Sequence, residues 1–116
     1  MVFKSLVTRL LGSHFLNYLV VRVLASFVVL GNWTDQGIRN VKAAPERIHP
    51  MRSMVEKANG KMQLYFTLGT YDFVMIVDVP NDETILEILR SLGSMGNVRT
   101  ATMKAWTESE AATIIK

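Results

Sequence analysis

The sequence predicts an α+β fold, a single antiparallel four-stranded sheet with helices on one face. Three observations predict it. Apolar residues recur first with the period of a strand, then of a helix, in the order strand, helix, strand, strand, helix, strand, and turn residues separate the segments. Gly69 and Thr70 separate a pair of strand-like runs, Lys61 to Leu68 and Tyr71 to Val79, so the middle of the chain is a hairpin. With 116 residues, 49% of them hydrophobic, and no cysteine, the chain builds one domain around one core without disulfide or thiolate-metal staples.

Strand one is the run Phe27, Val28, Val29, Leu30, apolar on both faces and closed by Gly31, Asn32 and Trp33. Thr34 is placed to cap a short turn through Ile38 to Val41. A helix then begins at Pro45, with Ile48, Met51, Met54, Val55 and Ala58 as its buried stripe and Asn59 and Gly60 as its stop. Pro50 has no N–H for the carbonyl of Glu46, which predicts a kink or a late start. Strand two, Lys61 to Leu68, turns Met62, Leu64, Phe66 and Leu68 to one face; strand three, Tyr71 to Val79, is apolar on both faces except at Asp72 and Asp78. Asp82 and Glu83 suit the start of a second helix with the stripe Ile85, Ile88, Leu89 and Leu92, ending near Gly93. Asn97 to Trp106 is strand four, and Thr107 to Glu110 reads as a capping box opening a short last helix.

Residues 1–25 stand apart from the domain at 26–116. Phe3, Leu6, Val7, Leu10, Leu11 and Phe15 recur at helical spacing opposite Lys4, Thr8 and Arg9, which describes an amphipathic extension. Arg22 interrupts the apolar run, leaving it too short to cross a bilayer about 30 Å thick. The segment reads as a non-essential extension or mis-set start, as a membrane or partner helix, or as a cleaved signal; membrane contact is expected only through it, and the domain is otherwise expected in the cytoplasm. The net charge of +3 is also located here, in Lys4, Arg9 and Arg22, because residues 35–116 carry ten bases and ten acids. A neutral domain lacks the basic face that phosphate binding needs, so nucleic acid is not expected as a partner. Two histidines far apart and no cysteine form no metal-ligand pattern, and no cofactor is indicated.

The handedness of crossovers folds this element order into a ferredoxin-like βαββαβ plait of sheet order 4-1-3-2. Both helices then cover one face. The other face keeps large apolar side chains, and leaving four or five of them wet forgoes on the order of 10 kcal/mol, comparable to the stability of a whole domain. A second copy is the expected cover, giving a homodimeric α+β barrel.

In this topology the end of strand one lies beside the beginnings of strands three and four. One rim therefore collects Asn32, Trp33 and Asp35, Tyr71 and Asp72, and Asn97 and Arg99, with Gln36 and Arg39 close by. Aromatics, an acid, a base and amides at one mouth suit a small apolar or weakly acidic ligand. The same residues also fit a structural role, in which Asp72 pairs with Arg99 or Arg39 and Trp33 and Tyr71 edge the core. Two functions follow: a small-ligand-binding or interaction module, or a small barrel enzyme of monooxygenase or isomerase type using Asp35 or Asp72 as proton acceptor and Arg39 or Arg99 against an anion.

Three separated stretches, Gly31 to Arg39 (GNWTDQGIR), Gly69 to Val74 (GTYDFV) and Gly96 to Thr100 (GNVRT), together resemble the small bacterial GYD-domain proteins from about Ser26 onward. The resemblance implies a dimeric α/β barrel with no established activity. Two departures accompany it: residues 1–25 are extra, and His49 and Pro50 fall where the family helix is unbroken.

Overall fold

The computed structural model describes residues 24–115. The amphipathic helix expected within residues 1–25 lies outside them. Four strands, β1 (Ala25–Trp33), β2 (Lys61–Phe66), β3 (Phe73–Val79) and β4 (Val98–Ala105), form one antiparallel sheet in the order β2-β3-β1-β4. This is the order expected from the sequence, read from the opposite edge. Between them lie α1 (Asp35–Arg39), a 3-10 turn (Val41–Ala43), α2 (Ala44–Lys57) and α3 (Asp82–Ser94), and the chain continues into α4 (Glu108–Ile114).

The caps follow local chemistry. The Thr34 side chain accepts from the Gly37 N–H to start α1, and Asn81 does the same for Thr84 at α3. Thr107 and Glu110 form a reciprocal capping box at α4. Asn59 closes α2 at a φ of 63°, the left-handed position that asparagine tolerates.

Alternation along the strands divides the sheet into two unlike faces. Phe27 and Val29 of β1 and Phe73, Met75, Val77 and Val79 of β3 turn to one side, where Met51 and Val55 of α2 and Ile85 and Ile88 of α3 close the core over them. On the other side Val28 stands opposite Ile76 and Met103, and Leu30 opposite Val74 and Ala101. That patch is apolar across three strands and belongs to no part of the core. Asp78, at its edge, accepts from the Ser26 hydroxyl.

Three expectations are corrected. β2 stops at Phe66, because the Thr67 N–H turns to the Asp72 carbonyl (2.9 Å) and its hydroxyl to the Tyr71 carbonyl (2.6 Å), leaving Leu68 fully exposed rather than on the inner face. Met54 lies outward on α2, whose buried residues are Ala44, Met51 and Val55. The helix does not wait for Pro50 but starts at Ala44 and runs through it, with the proline on the exposed side. Among the described residues no helix is long and apolar enough to cross a membrane.

Candidate functional site

The predicted rim residues lie where β1 ends and β3 and β4 begin, and among them the Gln36, Asp72 and Asn97 side chains are hydrogen-bonded within the fold. The Asp72 N–H donates to the Gly31 carbonyl at 2.8 Å while its carboxylate accepts from the Trp33 N–H, also at 2.8 Å. Asp72 thus extends the β1–β3 pairing past the strand end. Its partner is this backbone N–H, neither Arg99 nor Arg39; among the described residues the ion pair is Lys104 Nζ to Asp82 Oδ1, 3.1 Å. With its backbone held, Trp33 stacks at 6.3 Å on Phe66 and lies tilted at 5.8 Å against Phe73.

A second clasp joins α1 to the turn before β4. The Thr34 hydroxyl donates to the Gly96 carbonyl at 2.6 Å, and its N–H donates to the Asn97 carbonyl at 3.0 Å. Gln36 Nε2 donates to the Met95 carbonyl (2.9 Å) and to Asn97 Oδ1 (3.0 Å), so the buried Asn97 is satisfied. Gly37 packs directly on this segment: a Cβ there would lie 1.9 Å from the Asn97 carbonyl oxygen. The three separated sequence stretches are therefore the components of one joint. Asn32 and Arg99 face each other across β1 and β4, Tyr71 is half-buried in the hairpin, and Asp35 and Arg39 lie exposed on α1.

Removing the Asp72 acceptor tests the joint. Asp72→Ala leaves the Trp33 N–H without its partner and is expected to cost on the order of 1–2 kcal/mol in urea unfolding. Asp72→Asn, which retains an acceptor oxygen, is expected to cost less; equal losses would show that the carboxylate acts by its charge alone.

A small cavity lies on the helix side of the sheet, behind this rim. It measures about 40 Å³ and runs between Trp33, Phe66, Phe73 and Met75 of the sheet, Arg47, Ile48 and Met51 of α2, Leu92 of α3, and Asn97. Of the nine predicted residues, Trp33 and Asn97 line it. Of its other walls, Ile48, Met51, Leu64 and Leu92 are side chains that periodicity assigns to the apolar faces. Arg47 was missed, although it falls four residues before Met51 and three after Ala44, on the buried face of α2.

A single antiparallel sheet in this strand order, with both long helices on one face and a clasped strand-end joint, defines an α+β plait whose second face no helix among the described residues covers. The sequence profile of the GYD domain matches residues 27–115, and the chain belongs to the GYD domain family. It is similar to the "Glutamine synthetase and cystathionine beta-lyase binding protein" of Thermus thermophilus, with 33% identity over 84 residues that make up 71% of this chain and 88% of that protein. No solved structure matches the chain significantly.

Proposed function

We propose that the protein is a homodimeric, ferredoxin-like α+β barrel that serves as an interaction module, docking on an enzyme of amino-acid metabolism in the cytoplasm. The observation that carries this reading is the likeness, over most of both chains, to a protein named for binding two such enzymes. The rim supports a module over a catalyst, since Thr34, Gln36, Asp72 and Asn97 have hydrogen bonds within the fold. What the rim offers outward is Ile38, 53% exposed between Asp35 and Arg39 on α1, together with Arg99. An apolar centre flanked by charges is the composition of a docking edge. The sheet face that no described element covers supports the dimer: Val28, Leu30, Val74 and Ile76 are half-buried there, completing their burial adds part of the about 1.5–3 kcal/mol that full burial of each is worth, and a two-fold interface covers both copies at once.

The test immobilises the full chain and passes over it purified glutamine synthetase and cystathionine β-lyase from the same organism. Saturable binding of either enzyme, weakened by the double substitution Ile38→Asp and Arg39→Glu, is the expected result. Binding of neither would overturn the docking reading.

A further inference from the structure

We infer that the helix-side cavity is a binding site for a small apolar monocarboxylate, with Arg47 receiving the carboxylate. The inference needs neither the dimer nor a docked enzyme. Nη1 of Arg47 donates to the Asn40 carbonyl at 2.9 Å, which fixes the guanidinium, and Arg47 is one of the residues that line the cavity. Nη2 is buried and, among the described residues, has no hydrogen-bond partner. A buried donor on a cationic group with no acceptor is costly and seldom left so. No acid lines the cavity to meet it.

The walls state what else the occupant carries. Arg47 and Asn97 are the polar residues of the lining, and Asn97 Oδ1 is already taken by Gln36. A water at Nη2 would meet a lining that is otherwise mostly apolar. Trp33, Phe66 and Phe73 offer ring surface, and Met51, Met75 and Met95 are unbranched side chains that can repack around a guest larger than the present space. An apolar body with one anionic head uses the whole of this site: the body against rings and thioethers, the head on Nη2 as a charge-assisted hydrogen bond.

Calorimetric titration of the full chain with phenylacetate, phenylacetamide and acetate tests it. Phenylacetate is expected to bind about tenfold or more tighter than phenylacetamide, the scale of one charge-assisted bond, and tighter than acetate, which lacks the apolar body. Arg47→Met is expected to abolish the advantage of acid over amide while leaving the amide's affinity unchanged. Leu64→Trp, which fills the cavity, is expected to remove binding of both. Equal binding of acid and amide by the unsubstituted protein, acetate binding as well as phenylacetate, or no binding of phenylacetate at millimolar concentration would each overturn the inference. Should Arg47→Met fail to fold, the comparison of acid, amide and acetate on the unsubstituted chain still decides.

Discussion

The 116-residue chain is expected to scatter light as a particle of twice its 13.1 kDa mass, and a charge placed at the centre of the sheet face away from the helices is expected to halve it. Ile76 is the position of choice. It stands opposite Val28 in β1 and Gln63 in β2, on the face away from the helices, so Ile76→Lys meets no core side chain within its own subunit. In a monomer the lysine reaches water. In a two-fold dimer both copies are buried without partners, because symmetry repeats every interface residue. Leaving one charge buried and uncompensated costs about 3–5 kcal/mol, so two copies together cost about as much as the roughly 8 kcal/mol that separates a micromolar dimer from free subunits. The variant should retain its circular dichroism spectrum and its unfolding cooperativity while its mass falls to that of one chain. A monomeric unsubstituted protein, or a dimer untouched by Ile76→Lys, would remove the barrel from the account.

The second large effect is expected at Phe73. Its ring is 4% exposed and lies on the α-carbon of Gly31, its cross-strand neighbour, where a Cβ would come within 2.0 Å of Cζ. It also meets Trp33 and forms a wall of the cavity. Phe73→Ala removes all three contacts and opens a larger hole, at an expected cost of about 3–5 kcal/mol. Against a total of about 5–15 kcal/mol this is a large share, and for a domain of this size it lowers Tm by more than about 10 °C. Gly31→Ala, which drives a methyl into the same ring, is expected to cost about 1–3 kcal/mol alone. In the Phe73→Ala background the added methyl has room, so the two effects should fall well short of their sum. Additive losses would show that ring and glycine are not in contact.

The joint shows what the three separated stretches of this chain do together. GNWTDQGIR supplies Trp33, held by Asp72 of the hairpin stretch, and Thr34 and Gln36, which grip the Gly96–Asn97 turn. Each motif is completed by another, so the pattern is evidence of architecture before it is evidence of chemistry. In the cavity behind the rim, Nη2 of Arg47 has no hydrogen-bond partner among the described residues.

By itself the sequence determined the element order, the capping of α1 and α4, the stop of α2 at Asn59 and Gly60 and, through crossover handedness, the sheet order. These depend on neighbours a few residues apart or on the twist common to all L-peptides. Only the tertiary structure decided that Asp72 answers the Trp33 backbone and no arginine, that Leu68 and Met54 lie outward, and that the open space is on the helix side of the sheet. Asp72 and Trp33 are 39 residues apart, and Gln36 and Asn97 are 61. Periodicity says which face of an element an atom occupies, but not whether the facing elements leave a gap or an acceptor within bonding distance. Arg47 shows the difference: its place on the buried face of α2 is visible in the spacing from Ala44 to Met51, whereas the missing partner at Nη2 exists only once α2 is laid against the sheet.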